Sequence, residues 1–309
     1  MKNKFFINLF IICATCLLVV LACSKSNPLD EIPPAPFPQI NTFDCPNAPD
    51  YGDSIICPKN GNSPKDYKIS PINNPGSGKY YAWPAGIVID QNTGEINVTQ
   101  SETGLRYIIG FIKDGSKDTC LKEIVLGGVT YVDSIYVLEN NDTLALPHFN
   151  ANPVPTSVCD DSGDDDYPGM SGGMGHGNDK CEFDDDDDAD GGGGPEPPPG
   201  QRANDQKVRV RTISGIINLK KSIDDGVFGD NPQNGDEKTV TIWYRLNDCS
   251  KKRLRKLNVK LIYYDKVSDI PQSVKDDIHN KREQFMQTRV ITPNGKPRPP
   301  QIIITRAFD

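Results

Sequence analysis

The chain has 309 residues, a formal charge of −8, 36% hydrophobic residues, nine cysteines and only three histidines. This length holds two domains of ordinary size. No nucleophile elbow, P-loop or dinucleotide fingerprint occurs, which argues against an enzyme and against a resident cofactor.

The chain opens with Lys2 and Lys4, then an apolar run from Phe5 to Val20, then Leu21-Ala22-Cys23. A basic start, an apolar stretch and small residues before a cut site form an export signal over residues 1–22. An uncleaved anchor is the competing reading, but the run is broken by Asn8, Cys13, Thr15 and Cys16. It sits at the lower limit of the ~17–25 residues that span a bilayer. Val20-Leu21-Ala22-Cys23 resembles the lipobox of bacterial lipoproteins. That resemblance implies cleavage before Cys23, a diacylglycerol on its sulfur, and a place in the cell envelope as an outer-membrane lipoprotein open to the surface. Residues 23–43, with EIPPAPFPQ from Glu31, read as a proline-rich tether.

Six cysteines follow the leader: Cys45, Cys57, Cys120, Cys159, Cys181 and Cys249. In an oxidising compartment they permit three disulfides, and six cysteines allow 15 connectivities. Cys45 and Cys57 are close enough in sequence to be a candidate local pair. No CxxC spacing among these six and no HxxxH occurs, so no metal site is expected.

A first β module is expected over residues 44–159. Its centre reads TGEINVTQSETG around Gly94, and a diverged copy, SGIINLKKSIDDG, surrounds Gly215. Gly94, Ile96, Asn97, Val98 and Ser101 correspond to Gly215, Ile217, Asn218, Leu219 and Ser222. Each copy continues into a strand-like run (YIIGFI, TVTIWYRL), a cysteine (Cys120, Cys249) and a second run, EIVLGGVTYVD or LNVKLIYYD.

Between the copies, residues 160–205 read as a disordered acidic Gly/Pro-rich linker. Residues 160–190 hold 13 acids and one lysine, a net of −12. Little there is apolar enough to offset the entropy of ordering. The Asp runs lack the alternating ligand spacing of a calcium loop, so a solvated spacer is expected.

A second β module with a C-terminal helix is expected over 206–309, where 22 basic residues face 13 acids, a net of +9. Val240, Ile242, Tyr244 and Leu246 alternate with Thr241, Trp243 and Arg245, the period of a half-buried strand. Leu257, Val259, Leu261 and Tyr263 do the same. Trp243 and the tyrosines are therefore assigned to core or sheet packing ahead of a sugar-stacking platform. Lys251, Lys252, Arg253, Arg255 and Lys256 are expected to form a face that attracts the acidic linker. Pro271 to Gln287 reads as an amphipathic helix, with Asp269 as its cap, that covers the fold. The whole is mainly β, two diverged sandwich modules joined by the linker.

AWPAGIVIDQNTGEINVTQSETGLRYIIGFI, from Ala82, resembles the Ig-like or cadherin-like repeats of Bacteroidetes surface proteins. Gly86, Ile87, Ile89, Asp90, Thr93, Gly94, Ile96 and Val98 carry the likeness, and the motif shapes a turn in that family. The same resemblance makes Ser54, Ser134 and Thr143 candidate O-glycosylation sites, in Asp-(Ser/Thr)-aliphatic triplets.

Two functions are expected from these features: a lipid-anchored, non-catalytic structural or adhesion scaffold, or a glycan-binding accessory lipoprotein of an outer-membrane uptake system. Partners are then the membrane, through the anchor, and envelope proteins or surface glycans. Nucleic acid is excluded for an exported chain. Exposed, coplanar Tyr80, Tyr81 and Trp83 would favour glycan binding, and their burial the scaffold.

Overall fold

The computed structural model describes residues 41–43, 45–59, 65–159, 180–184, 197–286 and 299–309. The leader, Cys23, most of the tether and most of the acidic run lie outside them. The described chain is mainly β with one long helix.

The first repeat has two layers. One contains β1 (Asn41–Phe43), β2 (Ile55–Ile56), β4 (Gly78–Trp83), β7 (Leu105–Lys113) and β8 (Thr119–Leu126). β7 lies between β8 and β4, and both β1 and β2 run parallel to the free edge of β8. The expected tether thus ends in a strand. The other layer is β3 (Lys68–Ile69), β5 (Val88–Ile89) and β6 (Ile96–Asn97), with β6 central. Tyr107, Ile109 and Phe111, alternate residues of β7, meet Ile96, Ile124, Leu126 and Tyr80 in the core between the layers. Each fully buried side chain of this size contributes about 1.5–3 kcal/mol.

The second repeat begins earlier than composition implies. β9 (Val129–Tyr131) pairs with β12 (Pro147–Phe149), and β11 (Leu144–Ala145) joins β15 (Ile217–Asn218) and β14 (Arg209–Val210). The large sheet runs β10 (Ser134–Val137), β18 (Gln301–Ala307), β17 (Arg255–Lys266), β16 (Glu237–Arg245) and β13 (Glu182–Phe183). Val129, Tyr131, Ala145, Phe149 and Cys159 share one core with Val210, Ile217, Val240, Ile242, Val259 and Ile302. The core therefore divides between Leu126 and Val129, not at residue 160.

The acidic run is accordingly an insertion inside the second repeat, and residues 180–184 within it are held in the fold. Phe183 is fully buried, and its backbone N–H donates to the carbonyl of Thr212 at 2.6 Å. Asp184, expected in a solvated spacer, is 1% exposed. Its carboxylate accepts from the backbone N–H of Ala203 at 3.0 Å and of Asn204 at 2.6 Å, and from the Asn204 side chain at 3.1 Å. A short carboxylate among backbone donors holds a chain crossing in place, so composition alone misjudges this residue.

The repeated residues occupy repeated geometry. Ser101 Oγ donates to the Asn97 carbonyl at 2.7 Å and accepts from Val88 N–H at 2.8 Å. Ser222 does the same with Asn218 and Arg209, at 2.7 and 2.8 Å. Gly94 and Gly215 both have positive φ, 71° and 72°, and a Cβ on either would lie 2.6 Å from an aromatic ring, Tyr80 or Phe183. Only glycine meets both demands. The likeness extends further upstream than the glycine motif. Tyr51-Gly52-Asp53-Ser54-Ile55 matches Tyr131-Val132-Asp133-Ser134-Ile135. Tyr51 and Tyr131 donate their hydroxyls to the carbonyls of Gly94 and Gly215 respectively.

Besides the acidic insertion, the repeats differ in two further places. Leu219–Asp224 forms a short helix, α1, capped by Asn218, whose side chain accepts from Lys221 N–H at 2.9 Å. β17, the helix α2 (Gln272–Met286) and β18 form a crossover with parallel strands, the connection such strands require. β18 lies between β10 and β17, whereas in the first repeat β2 meets β8 directly. Ile302 and Ile304 face the main core, while Ile303 packs with Ile278 of α2 beneath Ile262 and Tyr264. The helix covers the sheet, as its apolar spacing implies, but Pro271 rather than Asp269 stands at its start, accepting from the N–H of Val274 and Lys275.

Three disulfides tie these parts: Cys45–Cys120, Cys57–Cys249 and Cys159–Cys181. The expected Cys45–Cys57 pair does not form. Thr42 is in register with Cys120 and Ile56 with Leu126, so β1 and β2 meet β8 six residues apart. At ~3.3 Å per residue that is about 20 Å, far beyond the ~7 Å limit between bridged Cα atoms.

Candidate functional site

A cavity of about 630 Å³ opens between the two repeats. Its first wall comes from the first repeat. β4 ends in Tyr81-Ala82-Trp83, and residues two apart share a face of a strand. Trp83 lines the cavity, and Tyr81 stands beside it on the strand, the two rings 20° from parallel with centroids 6.2 Å apart and both half-buried. Gly110 on β7 leaves the room for the indole: a Cβ there would stand 2.9 Å from the Trp83 ring. Thr99 to Thr103, Arg106 and Ile108 continue this wall.

The second wall follows from the alternation in β16 and β17. Val240, Ile242 and Tyr244 turn into the core, which places Trp243 on the other side, among the residues lining the cavity. Lys256 is its cross-strand neighbour, with Nζ 5.8 Å from the Trp243 ring centroid. Arg255 lies over the Tyr244 ring at 5.5 Å and donates through Nη2 to the carbonyl of Gly127. Tyr244 also bonds across the repeats, its hydroxyl 2.9 Å from Thr103 Oγ1. Lys281, Gln284 and Phe285 of α2 close one side, and Phe285 packs edge-on to His148 at 5.2 Å.

The lining is cationic. Arg106, Arg253, Arg255, Lys256 and Lys281 stand against two acids, Glu102 and Asp133. Burial lowers the affinity of the Arg253 guanidinium for its proton, and neighbouring Arg255 adds to the effect. Burial raises the Glu102 carboxyl above its ordinary range, and Lys281 opposes this. Burial likewise lowers His148.

The expected cationic face is thus dispersed. Lys252 bonds Glu182 at 3.1 Å, Arg253 is buried, Arg255 is half-buried at the cavity wall, and Lys251 and Lys256 are exposed, Lys256 at the cavity edge. Of the other anticipated residues, Cys23 lies outside the described residues. Ser54 is exposed, Thr143 half-buried, and Ser134 accepts from Arg282 at 3.3 Å on β10. Ser54, Ser134 and Thr143 stand at three different strands, β2, β10 and β11. Cys57, Asp248 and Cys249 approach closely enough for a metal, but both sulfurs are spent in one disulfide and offer no thiolate. The same bond leaves Cys249 without a thiol to act as a nucleophile. Sequence reasoning assigns Trp243 to packing. The signal that it is a lining residue is its place on the polar phase of an alternating strand.

No family model matches the chain, and no curated protein matches it. Among solved structures, the crystal structure of human CDH23 EC21-23 shows 12% identity with a TM-score of 0.16. The match covers 70% of this chain and 63% of that one, and carries no argument about fold or function.

Proposed function

We propose that this chain is an exported lipoprotein, anchored through Cys23, whose inter-repeat cavity binds a glycan without transforming it. The observation that carries this reading is that both tryptophans of the chain, Trp83 and Trp243, line one cavity of ligand size. Pyranose rings stack on aromatic faces, and the near-parallel Tyr81 and Trp83 extend such a surface along β4. Tyr80 takes no part, being 4% exposed and packed on Phe111. The two repeats are read as diverged Ig-like sandwiches, and the second has gained the β18 strand. The test is a glycan array on the mature chain, followed by calorimetry. Trp83→Ala should weaken the best ligand about fivefold or more, since a stacked ring contributes about 1 kcal/mol or more. Unchanged binding would place the ligand elsewhere. Cys23→Ser should abolish acyl labelling and release the protein from membranes. Retention without any lipid label would show that the anchor is misassigned.

A scaffold role is the second reading. It is favoured by Cys57–Cys249, which joins the repeats covalently and would suit a rigid spacer.

A further inference from the structure

We infer that the cavity selects glycans bearing carboxylates, so that uronate-rich chains are its ligand class. This rests on the glycan reading above and adds the charge requirement. Five cationic side chains line the cavity against two acidic ones, and with Arg106 paired to Glu123 the remaining four still outnumber the acids, although the chain as a whole is acidic. The imbalance is therefore local to the cavity and opposite in sign to the protein.

Arg255 is the best-placed of these cations. Its guanidinium is held from two sides, by the Gly127 carbonyl and by the Tyr244 ring. Gly128 makes that approach feasible, since a Cβ there would stand 2.8 Å from Arg255 Nη2. Its Nη1 has no hydrogen-bond partner among the described residues. The same holds for the indole Nε1 of Trp243, one strand away. Both of these atoms are shielded from solvent, and Arg255 is in register with Tyr244 while Lys256 is in register with Trp243, so the guanidinium acts on a carboxylate in the cavity through its charge rather than by direct contact. Lys256, held over the Trp243 ring, places a second positive charge beside that face. A stacking surface with cations at its edge matches a uronate ring, flat on its faces and charged at its rim.

A phosphate polymer would ask for something else. Nucleic-acid strands are tracked by basic residues along an open groove. Here the cations converge on one cavity of about 630 Å³, which fits a few sugar rings.

The experiment compares tri-galacturonic acid with its methyl ester, which keeps the sugar rings and removes the charge. The full mature chain is titrated with each by calorimetry at low and high salt. The acid should bind at least about tenfold more tightly at low salt, and added salt should shrink the difference. Arg255→Met should abolish the preference for the acid while leaving ester binding in place. Because Arg255 also bridges the repeats, Lys256→Gln, confined to the cavity edge, repeats the test and should reduce the preference severalfold. Equal affinity for acid and ester would overturn the charge requirement and leave the glycan reading standing. Failure of both, together with failure of a panel of neutral and acidic oligosaccharides, would overturn the glycan reading itself. Tighter binding of a short oligothymidylate than of the acid would replace both with a phosphate ligand.

Discussion

Tyr131 donates its hydroxyl to the carbonyl of Gly215, 84 residues further along, and so reaches across the whole acidic insertion. Tyr51 makes the equivalent bond to Gly94 at 2.8 Å in the first repeat. The pair of bonds defines where each repeat begins. Burial holds both phenols well above their ordinary pKa, so they remain donors throughout the physiological range.

Each of these bonds can be removed without changing ring volume. Tyr51→Phe and Tyr131→Phe should each lower unfolding free energy by about 1–3 kcal/mol, because a buried carbonyl loses its donor. Urea denaturation would measure it. A fragment starting at residue 206 lacks Tyr131, Phe149 and Phe183 and should show no cooperative melt. A cooperative β-type transition in that fragment would contradict a core shared with those three residues.

Gly94 and Gly215 carry equal constraints. Gly94→Ala and Gly215→Ala should each destabilise by about 2 kcal/mol or more, through positive φ and contact with Tyr80 or Phe183. Ala at exposed Gly235, with φ of 88° but nothing within 4 Å, should cost less. Equal losses at all three positions would show that φ alone, not the ring contact, sets the cost.

Peptide mapping without reduction should recover the pairs 45–120, 57–249 and 159–181. The double variant Cys57→Ser with Cys249→Ser should lose about 2–5 kcal/mol, as a native bridge closing a long loop typically provides. A 45–57 peptide pair would refute the register of β1 and β2 on β8.

Asp184 gives a pH dependence of known sign. Burial raises its carboxyl to about 6 from the ordinary 3.8, against the hydrogen bonds from Asn204 and Ala203 that favour the ion. The folded state therefore holds an extra proton between these values. The stability linked to that proton is full below pH 3.8 and is lost as pH rises through about 6, amounting to about 3 kcal/mol. A carboxyl NMR titration should give a midpoint near 6. A midpoint near 4 would mean the hydrogen bonds outweigh burial.

Local chemistry in this chain is readable from sequence, and long-range register is not. The Gly94 and Gly215 turns, the Asn97/Ser101 and Asn218/Ser222 pairs and the alternation of β16 and β17 all depend on neighbours close in the chain. So does α2. The repeated Asp-Ser-Ile triplets are visible too, but Tyr131-Val132-Asp133 reads as the end of the preceding strand, because the break at Gly127-Gly128 carries no polar turn residue. Composition marks the acidic run as solvated, yet Phe183 and Asp184 inside it are held by Thr212, Ala203, Asn204 and Trp243, all distant in the chain. The cavity needs both repeats in place. Trp83 and Trp243 belong to different repeats, and nothing local in either segment signals the other.

The position of β18 also imposes an order in time. Synthesis runs from the N-terminus, so Ser134 of β10 emerges long before its register partner Ile302. In the first repeat the corresponding wait, from Ile55 to Val125, is much shorter. The first repeat can thus assemble while β10 still presents an open edge. Cys57 waits in the same way, its thiol available to Cys45 or Cys120 until Cys249 arrives. Oxidation that outpaces the growing chain would trap those pairings, so correct maturation depends on thiol exchange remaining open until Cys249 has arrived.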